Sequence, residues 1–222
     1  MSTTTQIATT TIAAPALRRR SLFAMLALAA MPLSAPAHAE PAPAIATVQQ
    51  LYAALLAAMK SGRQTGFGQR FDALAPVIDQ AFDLRAVLAV SVGQRWTDLP
   101  QDQQTRLLEA FRRYTVASYL ANFDNYAGQS FTVSPETRAL EADRLVVQSR
   151  VVPADGEATR LDYVMQQTAA GWKIVDVLAA GSISRVAVQR SDFRHILSSG
   201  GGEALLASLQ HKTADLSGGA LV

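Results

Sequence analysis

The chain has no cysteine and only three histidines among its 222 residues. The absence of cysteine excludes disulfides and a lipidated cysteine anchor, even in a compartment that would permit them. There is no glycine-rich phosphate loop, and no GxSxG elbow to present a serine nucleophile. His195 and His211 fall in separate helical segments and read as surface groups near helix ends, not as metal ligands. Long apolar runs are scarce as well. The run LFAMLALAAMPL at 22–33 is too short for a stable membrane span.

That run has another reading. Arg18-Arg19-Arg20 precedes it, and Ala37-His38-Ala39 follows with a small-x-small cleavage pattern. Residues 1–39 are expected to be an export signal, used by ordinary secretion or by the twin-arginine route. The mature chain is expected to begin near Glu40 and to reside in the periplasm. The whole chain carries 20 basic and 18 acidic residues, and three of the basic ones precede Glu40. Residues 40–222 then hold 17 against 18, a net charge near −1. The basic character belongs to the signal, so neither a nucleic-acid footprint nor a polybasic membrane patch is supported. A stretch of this length suits one domain with a substantial core.

Within 40–222 the hydrophobic period changes half-way. Apolar residues at helical spacing predict a helix over 46–60, stopped by Ser61-Gly62. A second helical block is expected over 67–91, broken near Pro76. A third helix, over about 101–124, has a wide stripe with Phe111, Tyr114, Tyr119 and Phe123. Alternation takes over from Phe131. It is clear in 144–152 and in 158–168, with a turn at Ala154-Asp155-Gly156-Glu157 between them. WKIVDVLAA at 172–180 is apolar on both faces and reads as a central strand. Two helices, about 185–198 and 203–212, close the chain. The pattern predicts an α+β fold, with helices on one face of a curved antiparallel sheet and a pocket between them.

One carboxylate could carry catalysis. Strict alternation puts Asp176 on a face with Trp172, Ile174 and Leu178, where apolar surroundings would raise its pKa towards that of a general base. Its alternative role is structural, accepting hydrogen bonds from an arginine or from backbone at the sheet edge. No partner acid or histidine points to it, so no catalytic residue, metal or cofactor is assigned. Ser182 and Ser184 are expected to cap the helix that follows.

The order of motifs resembles the MlaC-type, or toluene-tolerance auxiliary, family of periplasmic lipid-binding proteins. The likeness rests on Phe82-Asp83, Gly93-x-x-Trp96 and Asp98-Leu99-Pro100, then Gln103 and Gln104 leading to Phe111-Arg112-x-Tyr114. It continues through Tyr119, Tyr126 and Gly128, then the strand-to-helix junction with Arg190 and Phe193, and the closing GGEALLASL, spanning about 48–212. Ser182-Ile183-Ser184 stands where the family usually has Gly-aliphatic-Ser, which is closer to the hopanoid-biosynthesis-associated, HpnM-type, branch. The resemblance implies an NTF2-like sheet with added helices around an apolar cavity for acyl chains of a phospholipid or hopanoid-related lipid. It also implies partners: an inner-membrane ABC transporter with its MCE-domain subunit, and an outer-membrane lipoprotein complex. The expected cavity wall is Phe82, Val87, Leu88, Phe111, Tyr114, Tyr119, Phe123, Val147, Tyr163, Met165, Val175, Val177, Leu178 and Ile183. Two alternatives stand beside the carrier: an NTF2-like cavity enzyme using Asp176, and a scaffold with a collapsed interior that only recruits membrane partners.

Overall fold

The structure is a computed structural model that describes residues 42–141 and 143–221; the expected export signal lies outside them. Helices come first. α1 (Pro43–Ser61) begins with proline in its first turn, where the missing N–H costs nothing, and stops at Gly62 with φ 59°. α2 (Phe67–Ala81) and α3 (Leu84–Val92) follow, then α4 (Gln101–Asn122). The sheet is an antiparallel meander of β1 (Ser130–Glu141), β2 (Arg144–Val152), β3 (Thr159–Thr168), β4 (Gly171–Ala179) and the short β5 (Ile183–Ser184), in that spatial order. α5 (Arg185–Ser217) ends the fold and is interrupted by non-helical Gly200 and Gly201. The expected α+β architecture with an antiparallel sheet is what is found.

Two local expectations fail for physical reasons. Pro76 lies inside α2 and does not break it. The break falls six residues later, at Phe82, whose backbone is extended (φ −103°, ψ 150°). Phe82 makes a parallel bridge to Ile174, and the Asp83 N–H donates to the Ile174 carbonyl at 3.0 Å. Asp83 then caps α3 by accepting from the Ala86 N–H at 2.9 Å. The second failure concerns β4, which is not central: β2 and β3 are interior, and β4 has only the two-residue β5 beyond it. One face packs on the helices, and the Phe82-Asp83 step covers part of its free edge, where an exposed strand would invite misassociation.

The core lies between the helices and one face of the sheet. Leu51 and Leu55 of α1, Ile78 of α2, Leu88 of α3 and Leu107 and Leu120 of α4 are wholly buried, as are Val147, Tyr163, Met165 and Ile174 of the sheet. Gln104 fastens the loop between α3 and α4. Its amide donates to the carbonyls of Trp96 (3.1 Å) and Leu99 (3.0 Å), and its oxygen accepts from Arg85. Glu203 ties the second half of α5 to α4 through Arg106 and Gln103.

The β4–β5 turn places Ala180 (φ 51°) and Gly181 (φ 76°) both in the left-handed region, as a tight hairpin with matching twist requires. A Cβ on Gly181 would fall 2.7 Å from the Arg160 side chain, itself held by Asp162. The two positions should therefore respond with opposite signs. Ala180→Gly should raise unfolding stability by about 0.5–1 kcal/mol, and Gly181→Ala should lower it by about 1–2 kcal/mol, both read from urea midpoints.

Candidate functional site

The register decides which strand residues face the helices. β3 pairs with β4 as Tyr163 to Val177 and Val164 to Asp176, but then as Met165 to Ile174. Val175 is thus an extra residue, a bulge, and it reverses the alternation on either side of itself. Thr137, Val147, Tyr163 and Val177 form one cross-strand row, and Leu145, Met165 and Ile174 the next, both on the helix-facing side. Asp176 and Leu178 fall on the opposite side.

The bulge therefore corrects several expected wall residues. Leu178 pairs with Asp162 and Ser184 and faces away from the helices; Val175 sits at the bulge and takes no place in the core cluster. Ile183 is 55% exposed and walls nothing. Tyr114 lies beside Phe111 and under the ammonium of Lys212 at 6.0 Å, and Phe111 meets Phe193 edge-on. These two rings join α4 to α5 and do not face the sheet. Val87 and Leu88 are buried in α3. Phe82, Tyr119, Phe123, Val147, Tyr163, Met165 and Val177 come together between helices and sheet.

Six rings form a continuous belt there. Phe82 meets Tyr119 edge-on (5.7 Å between centroids), Tyr119 stacks with Phe123 (6.2 Å), and Phe123 meets Phe131 (5.7 Å). Phe131 stacks on Tyr52 at 4.4 Å, and Tyr52 meets Tyr163 edge-on at 5.7 Å. Tyr52 and Phe131 were absent from the expected wall. Both were visible as apolar positions of their elements, but no sequence pattern shows that α1 and β1 close on the same space.

At one end the belt reaches the surface. Phe82 also lines an open groove of about 330 Å³ with Leu84, Leu108 and Ala170. Arg85, Arg112 and Lys173 stand around it with Asp79 and Asp83. Each charge has a partner. Arg112 holds Asp79 through two hydrogen bonds of 2.8 and 2.6 Å, and Lys173 donates to the carbonyl of Gln80 at 2.5 Å. The groove joins an apolar floor to a rim carrying one more positive charge than negative.

Deeper in, part of the interior is closed. Val147, Tyr163, Met165, Ile174 and Leu88 have no exposed surface at all, so none borders a water-sized void. The deep cavity expected from the sequence is filled by side chains at these positions. Three phenols interrupt the apolar lining. Ser149 Oγ donates to the Leu161 carbonyl, so the Tyr52 hydroxyl is the donor to Ser149 at 2.6 Å. The Tyr163 hydroxyl lies beside those of Tyr52 and Tyr119 but makes no well-formed hydrogen bond. Burial pushes the pKa of Tyr52, Tyr119 and Tyr163 up, and mutual repulsion between the phenolates adds to the shift for Tyr119 and Tyr163.

Asp176 is not in this interior. Its carboxylate accepts from the Val177 N–H (2.7 Å), the Ser184 hydroxyl (2.5 Å) and the Val186 N–H (3.1 Å). Ser184 in turn accepts from Ala187, which makes it the N-cap of α5; Ser182 takes no part in that cap. Asp176 thus joins β4 to the start of α5, and the general-base reading is set aside. His211 faces Asp215 one turn on, at 3.3 Å, in an exposed contact. Among the described residues no group of three or more His, Asp or Glu side chains could hold a metal ion.

A helix-backed antiparallel sheet with a belt of aromatic rings that opens at one end to a groove has the form of a binding protein. The MlaC protein family matches residues 49–211, and the chain belongs to that family. It is also similar in structure to a phospholipid-binding protein from Ralstonia solanacearum, solved in complex with a phospholipid. That likeness has 25% identity and a TM-score of 0.68, and covers 79% of this chain and 99% of that one.

Two outcomes follow from this geometry. Asp176→Ala and Ser184→Ala should each lower stability by about 1–2 kcal/mol, and the double variant should lose less than the sum, because both act on one helix start. Chemical denaturation of the three proteins measures this. The phenols set an alkaline limit. Their folded pKa values lie above the unfolded value of about 10, so the folded chain binds more protons at high pH. Stability is then intact below about pH 10 and falls as pH rises past it. Absorbance at 295 nm should show buried phenols ionising together with the loss of circular dichroism. Ionisation of all tyrosines well before unfolding would contradict this.

Proposed function

We propose that the protein is a periplasmic lipid carrier that takes acyl chains between the helices and the sheet, with the lipid head group left at the Phe82 groove. One observation carries this reading: Phe82 belongs both to the open groove and to the aromatic belt, so surface and interior are joined by a single side chain. Family membership supports it, as does the likeness to a protein solved with a phospholipid bound. The groove's cations, Arg85, Arg112 and Lys173, suit a phosphate.

Energetics set what such a carrier must do. A sixteen-carbon chain exposed to water costs on the order of 12 kcal/mol, at about 0.8 kcal/mol per CH₂. The groove alone is at the small end of ligand sites. Taking up chains therefore means displacing Phe82 and parting the belt, so that lipid carbons replace side-chain contacts. Release runs in reverse, when a partner favours the closed interior by several kcal/mol. The partners in this reading are the inner-membrane ABC transporter with its MCE-domain subunit and an outer-membrane lipoprotein complex. The family resemblance suggests them.

The closed interior also fits the scaffold reading, so the test must separate the two. Residues 40–222, exported to the periplasm of a bacterial host and weighed intact under native conditions, should carry a discrete added mass that extracts as glycerophospholipid. A polycyclic lipid recovered from a hopanoid-making host would move the protein to the hopanoid branch. A bare polypeptide mass from both hosts would overturn the carrier and leave the scaffold.

A further inference from the structure

The sheet face turned away from the helices carries a charge arrangement that packing does not explain. Thr132 of β1, Arg150 of β2 and Arg160 of β3 stand opposite one another in register. Arg150 lies three residues from Val147 and Arg160 three from Tyr163, so this row faces away from the aromatic belt. Like charges directly opposite in a sheet are unfavourable, and an acid facing Arg160 would stabilise the pair of strands better. Arg160 is nonetheless fixed in place. Its Nε donates to Asp162 Oδ2 at 2.9 Å, and its Nη2 stands 2.6 Å from the same oxygen. Asp162 has no exposed surface and is held in turn by the Ser149 N–H at 3.3 Å. Gly181 closes on the same arginine, since a Cβ there would fall 2.7 Å from it. A cleft of about 340 Å³ opens at this row, lined by Arg150 and Arg160 with Thr132, Ser134, Gln148 and Ser149.

We infer that this outer cleft is a binding site for a phosphate-type oxyanion, separate from the Phe82 groove and independent of the carrier reading. Among the described residues the side chains of Arg150, Thr132 and Gln148 make no hydrogen bond or ion pair. Ser134 Oγ accepts from the Glu136 N–H, which leaves its proton to give. Arg160 spends Nε and Nη2 on Asp162 and keeps Nη1. The free groups around the cleft are therefore mainly donors, two of them on cations. Asp162 is already neutralised by Arg160, and Glu136, in the β1 bulge, pairs with neither arginine. Donors reach the cleft from three adjacent strands, which suits a tetrahedral oxyanion; a planar carboxylate is served by one guanidinium fork. The two arginines differ in use. Arg160 is pinned and loses little freedom on binding, whereas Arg150 brings an unspent fork. Free phosphate and the phosphate of a lipid head group present the same oxygens to this set.

The test titrates the exported protein, labelled with nitrogen-15, with inorganic phosphate at constant ionic strength. The backbone amides of Thr132, Arg150 and Arg160 should shift together and saturate. Arg150→Gln should weaken that binding about tenfold or more, the worth of hydrogen bonds to a charged group. Arg138→Gln is the control. Arg138 faces the same side from another row, opposite Val146, and salt screens a charge that makes no contact, so affinity should hold. Equal weakening by the two substitutions overturns the inference, because it reports only a diffuse positive field. Wild type whose three amides do not saturate, or whose shifts are confined to the Phe82 groove, overturns it as well. Sedimentation with phosphatidylglycerol vesicles then names the source. Binding reduced both by inorganic phosphate and by Arg150→Gln identifies a lipid head group, and binding indifferent to both identifies free phosphate. Arg150 is exposed and supports no neighbour, so the variant should fold; if it does not, the wild-type amide map alone decides.

Discussion

Much of this molecule turns on the extended step at Phe82-Asp83. A helix running from 67 to 92 without interruption could not both lie on α4 and reach the rim of the sheet. The step ends α2, lends the free edge of β4 a backbone partner at Ile174, and starts α3 with an acidic cap. It also turns the Phe82 ring so that one side meets Tyr119 and the other meets the groove. Edge protection, helix capping and the link from surface to interior all pass through two residues. The step is held by one backbone hydrogen bond at a strand edge and by aromatic contacts. A connection so held can open locally without unfolding the rest.

The second constraint is the bulge at Val175. Without it, β4 would carry Asp176 on the same face as Ile174, and a carboxylate would enter an apolar interior with no partner. The extra residue turns Asp176 to the other side, where it receives two backbone N–H groups and the Ser184 hydroxyl. One irregularity thus removes a charge from the interior and supplies the anchor for α5. It also explains why β4 reads as apolar on both faces.

Helices and strands were legible in the sequence because their hydrophobic periods differ, and the meander because each turn carried glycine or a polar cluster. The site was legible only in part. Phe82, Tyr119, Phe123, Val147, Tyr163, Met165 and Val177 could be named because they lie on regular elements whose apolar face is unambiguous. Val175 and Leu178 were misplaced because a bulge leaves no mark in composition and strict alternation was assumed through it. Ile183 looked buried by type, yet a two-residue edge strand has nothing to cover it. Tyr114 shares α4's apolar stripe, but that stripe is wide enough to serve two neighbours, and α5 took this part of it. Tyr52 and Phe131 were missed for the opposite reason: their meeting depends on how α1 crosses β1, a long-range fact.

The closed interior gives the binding problem its form. Side chains with no exposed surface already enjoy the contacts that a hydrocarbon would offer, so chain-for-side-chain exchange gains little from packing alone. In the proposed carrier the net drive comes from what the exchange changes: acyl surface leaving water and the groove's cations meeting a phosphate. The first is large and indifferent to the kind of lipid. The second is small and depends on the head group, so it sets which lipid is held without making it hard to release. A carrier needs that division, because tight and specific burial of the chains themselves would leave nothing for a partner membrane to win.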